Sequence, residues 1–419
     1  MARNFESWID AYCEYAEDSF LPPQFNLWAG LSVIAGALER RVWLPWSDTY
    51  SFFPNIYVLL VSMPGDGKSV ALGKATGLLQ EVNRRTSTLN MIPSQVTEAK
   101  FIELMGHGRT FTERRGDREI IHRQNAGYYW ASEASNSLKN IFGDFIACLT
   151  DFYDCPPTWE RATKKDGKKI QLTNVCMNLI AGSTFDYLGK LVNDENIMGG
   201  FASRLIYVVS KNKEVKAQAF QLGQTPEMQA ERKVYREALI ADLTEISKLV
   251  GVMTAAPEFA RAWETWYPIF ETKRRAMESE KTQSILARAN TNILKVAMLL
   301  SAAESDSRVL TLEHWHRAHD MVMAIQEETP SLFQQVRANG TSKSPTQVTS
   351  ALLLIMKKYP GISIESAKAK AVLDGHNPLI VDKTAQALIT DKVVGMGNVV
   401  AGQGGGIETK VFKKADDYL

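Results

Sequence analysis

The sequence predicts an α/β fold built on a parallel sheet, and three features carry that reading. Residues 56–61, Ile-Tyr-Val-Leu-Leu-Val, form a continuous apolar run of the kind seen in strands covered on both faces. Further apolar runs follow at Gly127 to Ala131, Val175 to Gly182 and Leu205 to Val209. Helical stretches separate these runs, as repeated βα units require.

In chain order, residues 4–39 read as two helices broken at Leu21-Pro22-Pro23, with a short strand near 41–44. Residues 1–50 are therefore expected to form an N-terminal helical collar, and 51–215 the α/β core. Residues 226–335 show amphipathic helical segments, such as Pro257 to Met277 and Ser284 to Ala303, without a convincing strand. That predicts a helical lid over 216–336. The polar, breaker-rich stretch from Arg337 to Pro345 reads as a linker spanning 337–346. Beyond it, helical patterns near 347–358, 364–373 and 379–390 precede Val393-Val394, Val399-Val400, a Gly-rich tip and Thr409 to Phe412. Three helices followed by a hairpin outline a winged-helix DNA-binding domain over 347–419.

Composition bounds the function. A chain of 419 residues has room for two or three domains. Its net charge of +1 means that any nucleic-acid contact must come from local clusters. The four cysteines are scattered without a C-x-x-C pair, and the chain opens without a signal-like segment, which predicts a reducing cytoplasm and no structural zinc. The most apolar helix, Phe25 to Leu38, is shorter than the ~20 residues that span a bilayer, so no membrane is expected.

The chemistry begins at Ser62-Met-Pro-Gly-Asp-Gly-Lys-Ser69, between an apolar strand and a helix. Backbone amides of such a loop cradle phosphates, so Pro64, Gly65, Asp66, Gly67, Lys68, Ser69 and Val70 are the candidate ATP contacts. Lys68 serves the terminal phosphates and the Ser69 hydroxyl serves Mg2+. Ser62 stands where the usual pattern begins with glycine. Glu133, closing Tyr128 to Glu133, is the candidate that orients the attacking water and shares the metal with Ser69; Ser132 occupies the place usually held by a metal-supporting aspartate. Ser183 and Thr184, ending the next strand, are expected to sense the terminal phosphate from between the two preceding strands. Arg204, closing Met198-Gly-Gly-Phe-Ala-Ser-Arg204, is the candidate to reach a neighbouring subunit's phosphates, which makes Lys68, Glu133 and Arg204 the catalytic set.

Two basic segments need a different partner. In Arg161 to Lys169, Asp166-Gly167 marks a tight turn in a hairpin tipped by Lys164, Lys165, Lys168 and Lys169. Arg109 to Arg118 has a Gly116-Asp117 turn flanked by Arg114, Arg115 and Arg118. Such lysines and arginines grip phosphates without reading bases. Their alternative is a solvated surface hairpin. His314, His316 and His319 do not share one helix face, and no metal site is expected from them.

Taken together, residues 54–69, Trp130-Ala-Ser-Glu133, Leu179 to Thr184 and Gly199-Gly-Phe-Ala-Ser-Arg204 resemble the AAA+ ATPases. Among these they are most similar to phage- and prophage-encoded helicases of the primase-helicase type. The resemblance implies a ring, usually a homo-hexamer, with nucleotide between subunits. It implies that Arg288 is a lid arginine touching nucleotide, and that the lysine hairpin enters a central DNA channel as in MCM-like helicases. It further implies ATP hydrolysis coupled to DNA replication in a bacterial host's cytoplasm, with single-stranded or forked DNA as substrate and a primase or other replisome proteins as partners. An initiator or helicase loader that binds origin DNA is the alternative. A DNA-packaging motor is a third reading, normally accompanied by a nuclease domain, for which no carboxylate cluster is evident.

Overall fold

The computed structural model describes residues 3–17, 21–134, 144–162, 169–185, 187–188, 200–209, 225–277, 280–340, 345–359, 364–373, 378–390, 395–398 and 410–413. The chain opens with α1 (Trp8–Ala16), capped by the Ser7 hydroxyl, and α2 (Pro23–Leu38), which has proline in its first turn. Then come β1 (Val42–Pro45), β2 (Ser51–Phe52), β3 (Tyr57–Val61), α3 (Lys68–Thr86), β4 (Met91–Ile92) and α4 (Glu98–Met105). The hairpin β5 (Arg109–Arg115) and β6 (Arg118–Ala131) precedes α5 (Asp144–Tyr153). A second hairpin, β7 (Thr158–Ala162) and β8 (Lys169–Thr173), leads into β9 (Val175–Ser183). A 3-10 turn at Ala202–Arg204 opens β10 (Leu205–Val209).

The central sheet runs in the order β10-β3-β9-β6-β4, and every one of these pairs is parallel. β9 therefore lies between β3 and β6, as expected for the strand ending at Ser183. All five residues of β3 and all nine of β9 are buried, which is why they read as unbroken apolar runs. β6 is longer than the 127–131 run. Its first half alternates exposed and half-buried residues where it pairs antiparallel with β5, and only its second half enters the covered sheet.

The helical remainder consists of α6 (Pro226–Ile246), β11 (Gly251–Val252), β12 (Thr254–Ala255), α7 (Pro257–Arg275), α8 (Glu280–Leu286), α9 (Ala289–Glu304), β13 (Val309–Leu310) and α10 (Leu312–Gly340). Three two-residue strands thus appear where none was expected: β11 pairs with β1, and β12 with β13. Such short strands carry no periodicity. The helix expected over 284–303 is interrupted at Ala287 and Arg288, so Arg288 stands just ahead of α9. Residues 337–340 of the expected linker are instead the last turn of α10.

One hydrophobic core joins the sheet to the helices on either side in sequence. Trp8, Tyr12, Trp28 and Leu38 are buried with Leu72 and Leu79 of α3, Leu239 and Leu243 of α6, and Val296 and Leu299 of α9. Residues 1–330 form one compact unit, with the collar segment and most of the lid segment packed into the same core as the sheet. Close approach is built into α2: a Cβ on Gly36 would stand 2.5 Å from the Tyr128 ring of β6.

The second unit, 331–419, contains α11 (Pro345–Lys358), α12 (Ile364–Leu373), α13 (Pro378–Thr390) and an antiparallel pair, β14 (Gly395–Asn398) and β15 (Lys410–Lys413). Leu352, Ile355, Ala367, Ala371, Val381, Ala385 and Leu388 form its separate core. Among the described residues no helix is long and apolar enough to cross a membrane.

Candidate functional site

In an open parallel sheet, ligands bind outside the carboxyl ends of the strands. β3 ends there in the loop to α3. Gly65 and Gly67 have φ of +97° and +79°, a region that costs other residues a steric penalty, and nothing lies within 4 Å of the place a Gly65 Cβ would take. α3 starts at Lys68 without a side-chain cap, so its first amides are donors for an incoming anion. Ser69 and Val70 are exposed on that first turn.

Lys68 folds back on the loop. Its Nζ donates to the carbonyls of Ser62 and Met63 at 3.0 and 2.8 Å and to Ser62 Oγ at 2.9 Å. Ser62 Oγ in turn donates to the Met63 carbonyl at 3.2 Å. The serine that departs from the usual glycine is thus a third acceptor for the lysine. Burial pulls the Lys68 amine below the ordinary lysine range, while Asp66 and Glu133 oppose that shift, which brings the Glu133 carboxylate within electrostatic reach of the loop.

Glu133 follows the end of β6 and is exposed. Ser183 closes β9, is 3 % exposed, and its carbonyl accepts from the Ser62 amide at 3.3 Å. Thr184 Oγ1 receives the Tyr187 amide at 3.4 Å and starts the next turn. Lys68, Glu133 and Ser183 therefore gather at one edge, at the carboxyl ends of β3, β6 and β9. These groups fit magnesium triphosphate: open positive-φ glycines, an uncapped helix start, a buried amine hydrogen-bonded to loop oxygens, and the Ser69 and Glu133 oxygens for a metal.

Arg204 lies at the other end of the sheet. It immediately precedes β10, whose Leu205 pairs with Tyr57 at the start of β3, whereas the loop to α3 follows Val61 at its close. Five strand residues separate the two edges by about 16 Å. Arg288, expected to touch nucleotide from the lid, is on the Arg204 side and away from the β3–α3 loop: its Nη1 stands 3.7 Å from Asp154 Oδ1, and Arg204 Nη2 pairs with the same carboxylate. The Tyr153 ring lies below both guanidiniums, and Lys295 sits 3.9 Å from its centroid. Lys295 donates to the Asn55 carbonyl and Oδ1 at 3.0 and 2.7 Å, and burial pushes its amine down to about 8.

Both basic hairpins leave this second edge side by side. Asn125 Oδ1 of β6 accepts from the Thr173 amide at 2.7 Å, and Asn174, with φ of 50°, donates through Nδ2 to the Arg123 carbonyl at 2.8 Å. Gly116 makes the β5–β6 turn with φ of +58°. Arg114 and Arg115 pair with Glu119 and Glu113, and Arg118 is exposed. Lys169 opens β8 and pairs with Glu160 at 2.7 Å. Lys164, Lys165 and Lys168 lie outside the described residues.

Compared with protein-family models and with curated proteins, the sequence matches none. Its chemistry is therefore carried by the geometry above. His314 pairs with Glu304 and His319 with Asp320, and among the described residues no cluster able to hold a metal ion is present. Sequence reasoning missed Tyr153, Asp154 and Lys295, which lie in no motif and come together only through the packing of α5, β10 and α9.

Proposed function

We propose that this chain is a magnesium-ATP-driven, ring-forming DNA translocase that separates strands during replication. One relationship carries the reading: Lys68, Glu133 and Ser183 share one edge of the parallel sheet, while Arg204 and both basic hairpins share the other. A nucleotide bound at the first edge is too far from the same chain's Arg204, so that arginine can meet phosphates only from a neighbouring copy. This supports a heterologous, head-to-tail ring, with a homo-hexamer as the family resemblance implies.

Bound magnesium triphosphate would supply the phosphoanhydride bond to be hydrolysed. Lys68 would exchange the Ser62 and Met63 oxygens for phosphate oxygens, and the first amides of α3 would hold the remainder. Glu133 would orient the water and assist Ser69 at the metal, with Ser183 between them on β9. The hairpins would hold DNA through its phosphates, independent of sequence.

A second reading draws on the C-terminal unit, whose three helices and two-stranded hairpin suit a winged helix placed on duplex DNA. An initiator or helicase loader would use it for origin binding. Unwinding of forked duplexes by the purified protein, beside Lys68→Ala, separates the two. Displacement lost in the variant is the expected result, and ATP turnover with tight DNA binding but no displacement would move the assignment to the initiator.

A further inference from the structure

Asp154 has no role in the nucleotide edge described above, yet two arginines from distant parts of the chain converge on it. Arg204 comes from the turn before β10 and Arg288 from the break before α9, and both direct guanidinium nitrogens at this carboxylate. Tyr153 supports the pair from below, with Arg204 and Arg288 at 5.8 and 6.0 Å from its ring centroid. Gly200 closes the remaining side. Its carbonyl accepts from Arg204 Nη1 at 2.8 Å, and at its φ of +79° a Cβ would stand 2.7 Å from that nitrogen.

The arrangement is incomplete in two respects. Among the described residues one carboxylate faces two guanidiniums, which leaves surplus positive charge at a place where Asp154 and Arg288 retain 41 % and 29 % side-chain exposure. Arg204 is 8 % exposed, but its Nε has no hydrogen-bond partner among the described residues. A buried donor without an acceptor among the described residues, beside two guanidiniums on one carboxylate, fits a bound anion. The chain's own nucleotide edge is about 16 Å away along the strands.

We propose that Asp154 is a positioning residue that holds Arg204 and Arg288 as a fork for the terminal phosphates of a nucleotide bound to a second copy of this chain. The proposal rests on the ATP reading above. It goes beyond that reading in making Arg288 a partner of Arg204 and in assigning both to one carboxylate.

The experiment uses the full-length chain and magnesium-ATP, with wild type, Lys68→Ala, Asp154→Ala and Asp154→Asn. Asparagine keeps the oxygen that receives Arg204 and removes the charge, so it tests the role if alanine disturbs folding. Each Asp154 variant is expected to bind a fluorescent ATP analogue within about threefold of wild type while turnover falls at least ~10-fold, less steeply than loss of the arginine itself. An equal mixture of Asp154→Asn with Lys68→Ala is expected to recover about a quarter of wild-type turnover, because a quarter of interfaces then join an intact phosphate loop to an intact fork. A purely structural ion pair would give a mixture no more active than its components, and that result overturns the proposal, as does unchanged kcat in both Asp154 variants. Absence of turnover in wild type would overturn the ATP reading itself, and this proposal with it.

Discussion

Gly182 of β9 lies against the main-chain carbonyl of Ser132, and a Cβ on that glycine would stand 2.4 Å from the oxygen. The same Cβ would be 3.5 Å from Lys68 Cβ. Backbone cannot yield as a side-chain tip can, so Gly182→Ala must displace Ser132 and, with it, Glu133. Because a misplacement of about 1 Å can cost ~100-fold in rate, we expect Gly182→Ala to keep nucleotide affinity within a few-fold and lower turnover by roughly that factor. Steady-state kinetics with an ATP-binding titration checks the split.

Arg204→Ala removes the group at the far edge and leaves the phosphate loop intact. Turnover should fall by about 10³-fold or more, the scale set by arginines that act in trans on phosphoryl transfer. Nucleotide binding measured by calorimetry should persist. Normal turnover in this variant would sink the ring arrangement.

Replacing Lys164, Lys165, Lys168 and Lys169 together by alanine should weaken single-stranded DNA binding and flatten its salt dependence. Four lost phosphate contacts reduce the slope of log K against log salt by about 3. Fluorescence anisotropy at several salt concentrations reads this directly, and an unchanged slope would leave the hairpin as a surface feature.

Trp8 is fully buried, stacks on Tyr12 with ring centroids 5.3 Å apart, and donates through its indole nitrogen to the Leu239 carbonyl at 2.9 Å. Trp8→Ala should therefore destabilise residues 1–330 by about 3–5 kcal/mol, measured as a lowered urea midpoint. A separable N-terminal collar would instead leave that transition in place.

Lys295 gives a pH signature. Below about pH 8 its amine is protonated in both folded and unfolded chains, so the cost of burying the charge is fully present. Between about 8 and 10.5 the unfolded chain retains a proton that the folded chain has released, and stability must rise with pH. The difference in unfolding free energy between wild type and Lys295→Met should shift toward wild type across that window and level off above it. A difference curve flat in pH would contradict the buried amine.

Much of this arrangement was legible in the residues. Ile56 to Val61 and Val175 to Gly182 read as covered strands because two-sided burial leaves no polar alternation. The expectation that Ser183 ends a strand between those of Lys68 and Glu133 holds in the sheet order. The pairing of Arg288 with Asp154 was not legible, because periodicity at 284–303 gives no sign of the break at 287–288. Asp154 itself has no local signal: its meaning arises from two arginines 50 and 134 residues further along the chain. The last turn of α10 was hidden because Asn339 and Gly340 are breakers by composition, and only the structure shows the helix running through them.

Asn174 joins β8 to β9 in a left-handed conformation, pinned by its amide to the Pro157 carbonyl at 2.8 Å and by its side chain to Arg123. Beyond this elbow, β9 runs for nine buried residues, paired with β3 and β6, and ends at Ser183 beside the β3–α3 loop. A strand so braced neither bends nor stretches appreciably over its ~30 Å. Its main chain is bonded to β3 on one side and β6 on the other, so it can move only together with the sheet. One strand and one asparagine thereby fix the spacing between the Ser183 edge and the base of the second hairpin.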